Sequence, residues 1–305
     1  MKKFFLAAVI LAAAVFSAGA ALWPVSGQEI PSPVGAKHVV LIGYDGFGGN
    51  YIHWDELPNL SRFKDHGAWT QKMRSVIPSS SAINWASILM GTPSEIHGFR
   101  TWGSREPDLP SAVLTEDGLF PDIFYLTRKE IPDSSLYCVY TWVGIGFLFD
   151  NKVMNDVLHA QSAEEVCSKG LEYLANNPTL TFIYFSGPDG AGHEKGWGTP
   201  EYYEVVRLQD ALLGQLLDYL EANDRMKDTV VLFVSDHGGT GNGHGGETME
   251  EMETPFLALG CGVKPGEITD VVADYDVAAT IAWVLGLEAP QAWRGRPVLS
   301  AFGKR

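Results

Sequence analysis

The 305-residue sequence is poor in cysteine and in charged residues. Its three cysteines, Cys138, Cys167 and Cys261, are too few and too widely spaced for a disulfide framework or a cysteine-rich zinc site, and they allow one disulfide bond at most. Charged residues make up 19% of the chain, against the usual ~25%. These shortages, together with 46% hydrophobic residues, exclude a disordered chain and a coiled coil. The length is sufficient for a large hydrophobic core.

Positive charge is also scarce. Lys and Arg total 22 against 37 Asp and Glu, so the formal net charge is −15. A field of this sign repels polyanions, and we therefore expect no nucleic-acid polymer as a partner. A small anionic substrate would have to be held by local positive charge.

Only the N-terminus carries a long apolar run. Lys2 and Lys3 precede an apolar stretch over residues 4–16, and Ala18 to Ala20 supplies a small-residue cleavage pattern. This pattern predicts a signal peptide over residues 1–20 and hence a periplasmic or secreted protein. An uncleaved anchor is the alternative, but the run is shorter than the ~20 residues that a bilayer requires. A proline-rich linker is expected over residues 21–36, and no membrane span is expected after cleavage.

Apolar runs typical of buried strands alternate with helical patterns along the rest of the chain. The clearest strand patterns cover residues 38–43, 180–186 and 229–235, with further candidates at 70–76, 136–141 and 255–259. Helical periodicity covers residues 82–90, 200–222 and 277–285. This alternation predicts an α/β fold, a three-layer αβα domain over residues 37–305 with a mostly parallel central sheet. Segments 98–135 and 142–177 have little strand character and are expected to form a small lid.

Aspartate and histidine follow the three clearest strands. The residues concerned are Asp45, Asp189 with His193, Asp236 with His237, and His244. One glycine-rich turn of this kind is usually structural, but three such loops, each after a buried strand, indicate a shared site, because ligands collect at the carboxyl ends of strands in open α/β sheets. Carboxylates and imidazoles without thiolates favour zinc, with manganese, iron or magnesium as weaker options. Six ligands divide into two sets of three, which leaves open coordination positions of the kind that catalysis requires.

A candidate nucleophile lies at the start of the helix predicted over residues 82–90. Ser81 would occupy its N-terminus, where backbone N–H groups and the helix dipole favour an anion such as phosphate. A simple capping serine is the alternative. Asn84 lies about one turn further along on the same face, where its amide is expected to donate to a phosphoryl oxygen.

Taken together, these motifs resemble the alkaline phosphatase superfamily. Within it, Tyr44-Asp45-Gly46, Ser81 with Asn84, and the Asp and His residues listed above are most similar to the nucleotide pyrophosphatase/phosphodiesterase branch and its small bacterial relatives. The resemblance implies a two-metal site, usually zinc, in which a phosphoseryl intermediate forms at Ser81. It implies one metal held by Asp189, His193 and His244, and another held by Asp45, Asp236, His237 and Ser81.

Departures from the superfamily's patterns narrow the expected chemistry. The phosphodiesterase branch has Thr at the position of Ser81 and Phe-Pro at Ala82-Ile83, whereas Asn84 matches it. Sulfatases have Pro and Arg where this chain has Ile83 and Trp85, so sulfatase chemistry is disfavoured. The arginine clamp of alkaline phosphatases is absent from the helix after Ser81. Arg100 and Arg105 either reach the site or, as we favour, are solvated loop residues.

The expected function is therefore hydrolysis of a small phosphate ester, of the phosphodiesterase or nucleotide pyrophosphatase type. Phosphomonoester hydrolysis is the alternative reaction. A binding protein that captures phosphate without turnover is a further alternative. The sequence predicts no particular oligomeric state.

Overall fold

The computed structural model describes residues 32–303. Its strands are β1 (His38–Tyr44), β2 (Ala68–Arg74), β3 (Leu136–Tyr140), β4 (Asp156–His159), β5 (Leu180–Phe185), β6 (Thr229–Ser235), β7 (Glu253–Gly260) and β8 (Gly266–Glu267). Its α-helices are α1 (Pro58–His66), α2 (Ser81–Met90), α3 (Ser94–His97), α4 (Ile123–Glu130), α5 (Ala163–Ala175), α6 (Gly187–Lys195), α7 (Pro200–Ala222), α8 (Met249–Met252) and α9 (Asp276–Leu285). Short 3₁₀ helices cover Gly49–Tyr51, Trp54–Glu56, Val143–Phe147, Asn151–Val153 and Leu299–Ala301.

The strands form one sheet in the order β4-β3-β5-β1-β6-β7-β2-β8. Strands β4, β3, β5, β1 and β6 pair in parallel, and β7 pairs antiparallel with both β6 and β2. The prediction of an α/β fold with a mostly parallel sheet is therefore confirmed. Every residue of β5 and β6 is buried, in agreement with their continuous apolar sequences.

Alternate residues of the strands belong to two hydrophobic cores, one on each face of the sheet. On one face Val39 and Leu41 of β1 pack with residues of α2, α4 and α9. On the other face Val40 and Ile42 pack with residues of α1, α5 and α7. The two cores make the three layers that the sequence predicts.

Parts of the two segments expected to form a lid lie in the sheet and in the core. Segment 142–177 contains β4 and α5, and β4 pairs with β3 while Val166 and Leu174 of α5 lie in the core. Segment 98–135 contains α4, which is buried along its first five residues. The two end residues of β4, Asp156 and His159, are polar and exposed, and the two apolar residues between them are partly buried. The strand therefore lacks the long apolar run by which the sequence predicted the central strands.

The expected signal peptide, residues 1–20, lies outside the described residues, as does most of the expected linker. The end of that linker belongs to the folded domain, because Val34 and Ala36 pack in the core. Each of the three cysteines is a buried thiol. Within residues 32–303 no helix has the length and apolarity needed to cross a membrane.

Candidate two-metal active site

The order of the strands brings the three aspartates to one edge of the sheet. Strands β5, β1 and β6 are adjacent and parallel, so their carboxyl ends lie side by side. Asp45 directly follows β1, Asp236 directly follows β6, and Asp189 lies in α6, which begins just after β5. The functional side chains are thus positioned by the central, most buried part of the sheet.

One cluster consists of Asp45, Asp236 and His237, all fully buried. His237 Nε2 lies 3.5 Å from Asp45 Oδ1 and 3.2 Å from Asp236 Oδ2. The other oxygens of the two carboxylates are held by the protein. Trp85 Nε1 donates to Asp45 Oδ2 at 2.9 Å, Tyr184 Oη donates to the same atom, and the Gly46 N–H donates to Asp236 Oδ1 at 3.1 Å.

The second cluster consists of Asp189, His193 and His244. Asp189 Oδ1 lies 3.5 Å from His193 Nε2 and 3.6 Å from His244 Nε2. The sequence predicted a glycine-rich loop for Asp189 and His193, but both lie on helix α6, where a spacing of four residues places them on one face. The helix forms because Pro188 occupies its first turn and because Gly192, without a Cβ, admits the Trp197 ring.

Backbone carbonyls fix the orientation of the three histidines. The Nδ1 atoms of His193, His237 and His244 lie 3.0, 2.7 and 3.1 Å from the carbonyl oxygens of Asn242, Gly238 and Ser79, respectively. A carbonyl only accepts, so each Nδ1 carries the proton and each Nε2 presents a lone pair to its cluster. Metal-binding histidines are commonly oriented in this way.

The donor atoms of both clusters fit divalent cations. Asp45 Oδ1, Asp189 Oδ1 and Asp236 Oδ2 are buried without a hydrogen-bond donor in the described part of the chain. Buried polar atoms rarely lack partners, and these three face imidazole lone pairs that cannot donate. In each cluster the three candidate ligand atoms lie within 4.8 Å of one another, and oxygen with imidazole nitrogen is a donor set that suits zinc.

The electrostatics of the clusters point to the same need for positive charge. Burial raises the pKa of Asp45 to about 6, and burial together with repulsion from Asp45 raises the pKa of Asp189 to about 8. Burial and the Asp45 charge likewise raise the pKa of Asp236. Burial lowers the pKa of His237 and of His244, which keeps both imidazoles neutral. Cations between these groups would offset the cost of burying three carboxylates together.

Ser81 is the first residue of α2, and its side chain contacts the first cluster. Its Oγ lies 3.2 Å from His237 Nε2. The hydroxyl therefore borders the space between the candidate metal ligands, as a nucleophile at that position requires.

Asn84 is not placed as the sequence predicted. It is fully buried, and its Nδ2 donates to the carbonyls of Pro78 and Ser80 at 3.0 and 3.1 Å, while its Oδ1 accepts from the Val76 N–H at 2.8 Å. Both amide hydrogens are used in this way, so the expectation that Asn84 donates to a phosphoryl oxygen is wrong. Helical spacing predicts the face of a helix, but not that a side chain folds back onto its own loop.

A cavity of about 590 Å³ opens over the clusters. Its lining residues are Asp45, Ser80, Ser81, Trp102, Trp142, Tyr184, Ser186, Asp189, Gly190, His193 and His244. Of the described residues that line it, none is Lys or Arg. Arg105 instead stacks on Phe147 with 5.1 Å between guanidinium carbon and ring centroid.

Trp85 and Tyr184 are contributors to the site that sequence reasoning missed. The sequence indicated Trp85 only as the residue at the position of the sulfatase arginine, and the structure buries it fully. Both residues act through Asp45, and no sequence spacing reveals a contact between strand β5 or helix α2 and the end of β1.

A sequence model of the family described as type I phosphodiesterase/nucleotide pyrophosphatase matches residues 39–124 and 139–258. These ranges cover more than half of the chain and include the six candidate metal ligands and Ser81. The chain belongs to this family. The resemblance to the alkaline phosphatase superfamily that the motifs indicate is therefore confirmed.

Curated relatives with similar sequences are much longer proteins. Ectonucleotide pyrophosphatase/phosphodiesterase family member 1 of Mus musculus is 26% identical over 229 residues. The match covers 69% of this chain and 25% of the mouse protein. Bis(5'-adenosyl)-triphosphatase of Pongo abelii is 25% identical over 219 residues, 66% of this chain and 47% of that protein. The phosphodiesterase-family chain thus spans a quarter to a half of the length of these relatives.

A solved structure supports the fold. An inactive variant of murine ectonucleotide pyrophosphatase/phosphodiesterase 5, in complex with AMP, superposes with a TM-score of 0.70 at 16% identity and covers 83% of this chain and 96% of that one. The match supports the alkaline phosphatase-like α/β fold of this chain.

Proposed function

We propose that this family member is a metal-dependent hydrolase of small phosphodiesters, with Ser81 as nucleophile and two divalent cations, zinc by preference, at the two clusters. The observation that carries the proposal is the placement of Ser81 Oγ 3.2 Å from His237 Nε2, beside three buried carboxylate oxygens that lack donors. Cations at the clusters would lower the pKa of a bound hydroxyl and neutralise charge on phosphoryl oxygens.

The residues around the cavity support a displacement in two steps. Ser81 Oγ loses its proton and attacks phosphorus, and the new O–P bond forms as the bond to the leaving ester oxygen breaks. The leaving oxygen takes up a proton, and a phosphoseryl group that keeps the second ester remains at Ser81. Water then attacks phosphorus, the Ser81 O–P bond breaks, and Ser81 recovers its proton.

The charge of the cavity favours a diester over a monoester. Three carboxylates with two divalent cations leave a single positive charge, which matches the single negative charge of a phosphodiester. A monoester carries up to two negative charges, and the described lining residues offer no Lys or Arg for the second one. Trp102 and Trp142 line the mouth, where a second ester group would lie.

We further propose that the protein acts outside the cytoplasm, in the periplasm or after secretion, on a small ester rather than a nucleic-acid polymer. The proposed signal peptide over residues 1–20 and the net charge of −15 support these two points.

Turnover of bis(4-nitrophenyl) phosphate and 4-nitrophenyl phosphate by the zinc-supplemented protein tests the proposal. Wild type is expected to prefer the diester, and Ser81→Ala is expected to lose at least about 10³-fold in kcat, because it removes the proposed nucleophile beside His237 Nε2. Ser94→Ala, the same substitution in α3 and outside the cavity, is the matched control and should retain activity.

Two results would contradict parts of the proposal. A preference for the monoester would favour the phosphomonoesterase alternative. Equal inactivity of wild type and Ser81→Ala, with metal bound to both, would favour a phosphate-binding protein without turnover.

A further inference from the structure

The placement of Asn84 leaves open which group hydrogen-bonds a non-bridging phosphoryl oxygen. Hydrolysis at phosphorus builds charge on these oxygens, and a fixed donor inside a buried site stabilises that charge in the transition state. Asn84 donates both amide hydrogens to backbone carbonyls and does not line the cavity. A different residue must therefore supply the donor.

Most polar groups of the cavity wall already have partners. Tyr184 Oη donates to Asp45, and Ser186 Oγ is hydrogen-bonded to Thr141 Oγ1 at 2.8 Å. The Gly190 N–H donates to the Ser186 carbonyl at 3.1 Å. Tyr184 Oη and the Gly190 N–H cannot donate to a phosphoryl oxygen without breaking these bonds, whereas Ser186 Oγ can do so only when Thr141 Oγ1 is the donor of their shared bond.

Ser80 is different. It lines the cavity directly before the nucleophile, and its hydroxyl makes no capping bond to α2, although Ser80 is the N-cap residue of that helix. Ser80 is 6% exposed, whereas Trp102, which also lines the cavity, is 66% exposed. A hydrogen bond from the buried wall is the stronger of the two, because water competes less for it.

The backbone of Ser80 is fixed in place by Asn84. The Ser80 carbonyl accepts from both the Asn84 N–H at 3.0 Å and Asn84 Nδ2 at 3.1 Å. The neighbouring Pro78 carbonyl is held by the same amide group. Asn84 is thus a positioning residue that orders the loop before Ser81. The Ser80 hydroxyl takes no part in these hydrogen bonds and can donate to a ligand in the cavity.

We propose that Ser80 Oγ donates a hydrogen bond to a non-bridging phosphoryl oxygen of the substrate and of the pentavalent transition state. The inference deepens the proposed function and rests on it, since it concerns the same cavity. Ser80 exchanges a hydrogen bond with water for one with the phosphoryl oxygen and takes part in no covalent step.

Binding of orthovanadate, a mimic of pentavalent phosphorus, to the zinc-loaded protein tests the proposal without requiring turnover. Ser80→Ala is expected to bind vanadate about 10-fold or more weakly than wild type, because one donor to the equatorial oxygens is lost. Ser80→Thr retains the hydroxyl and should restore most of the affinity. Zinc content should be equal in all variants, since Ser80 is not a member of either cluster.

The kinetic counterpart is a loss that is larger in the transition state than in the substrate complex, because the charge on the phosphoryl oxygens is larger there. Diester kcat is expected to fall about 10- to 100-fold in Ser80→Ala, with KM within about 3-fold of wild type. Ser94→Ala is again the matched control. Loss of folding is not expected, because the Ser80 hydroxyl makes no bond to the helix that it caps.

Equal vanadate affinity in wild type and Ser80→Ala, including no binding by either, would overturn the inference. Inactive wild type that nevertheless binds vanadate through Ser80 would contradict the proposed function and leave the role of Ser80 supported. The two proposals therefore fail in different ways.

Discussion

The Asp45 carboxylate shows how single residues prepare this site. Tyr184 and Trp85 both donate to its Oδ2, which turns Oδ1 toward His237. Such outer contacts typically contribute 10- to 100-fold to the affinity of a metal site. The two donors therefore support the proposed metal site through the ligand that they orient.

Removing one of these donors should weaken one metal site selectively. In Tyr184→Phe we expect about 10- to 100-fold weaker zinc binding at the Asp45 cluster and little change at the Asp189 cluster. Competition of the protein with a chelating dye measures both affinities, with Tyr137→Phe in β3 as matched control. Identical zinc titration curves for Tyr184→Phe and wild type would show that Asp45 does not depend on this contact.

His97 has a structural role with a pH signature. The Phe99 N–H donates to its Nδ1 at 3.1 Å, so its Nε2–H donates to Ser87 Oγ, also at 3.1 Å. Burial lowers the pKa of His97 to about 3, from the usual 6.5. The unfolded chain therefore takes up a proton below pH 6.5 that the folded chain refuses, and folding stability is lost as the pH falls from 6.5 toward 3.

The expected size of this loss is up to about 1.4 kcal/mol per pH unit. Replacing the imidazole in His97→Gln should lower the free energy of unfolding at pH 8 and flatten its decline between pH 6.5 and 5. Urea unfolding at several pH values measures both slopes, and the comparison removes the parallel contributions of buried His237 and His244. Parallel slopes in the two proteins would rule out this role for His97.

The sequence predicts where the candidate metal ligands lie in the fold, but it does not predict the hydrogen bonds of single side chains such as Asn84. The strand-end positions of Asp45, Asp189 and Asp236 could be predicted, because the ends of parallel strands share one edge of a sheet. The hydrogen-bond partners of Asn84, Ser80 and Tyr184 could not, because they depend on local loop geometry and on contacts between distant elements.

At the scale of the elements, the packing of α2 against β1 determines where the nucleophile lies. Gly43 of β1 has no side chain, and the Trp85 ring of α2 occupies that space. A Cβ at position 43 would lie 2.5 Å from Trp85 Cη2 and 2.9 Å from Phe182 Cε2. Trp85 cannot move away without releasing Asp45.

Gly43→Ala is therefore expected to lower the free energy of unfolding by about 1–3 kcal/mol, as overpacked cores usually do. Gly103→Ala is the matched control, because a Cβ there meets no heavy atom within 4 Å. Denaturant unfolding of the two variants and wild type makes the comparison. Equal stability of Gly43→Ala and wild type would mean that the helix can shift away from the sheet at little cost.

The elements that the sequence predicted well share one property. Strands β1, β5 and β6 are buried on both faces and read as continuous apolar runs. Edge strand β4 has no fully buried residue, and the glycines of α6 hide its helical character. The hydrophobic pattern therefore predicted the buried central strands, but it predicted neither the edge strand nor the glycine-rich helix.

At the scale of the whole molecule, an acidic protein concentrates further negative charge at one edge of its sheet. Three of the chain's 37 acidic residues lie around one cavity of about 590 Å³, in a protein whose net charge is −15. This arrangement is costly without cations, and two divalent ions at the proposed sites would convert the cavity from anionic to cationic. The central claim is thus that two metal ions complete the structure beside Ser81.

An anomalous difference map at the zinc absorption edge, from crystals of the zinc-loaded protein, tests that claim most directly. We predict two peaks about 3.5–4 Å apart, one contacting Asp189, His193 and His244, and the other contacting Asp45, Asp236, His237 and Ser81 Oγ. A single peak, or peaks bound elsewhere on the protein, would contradict the account.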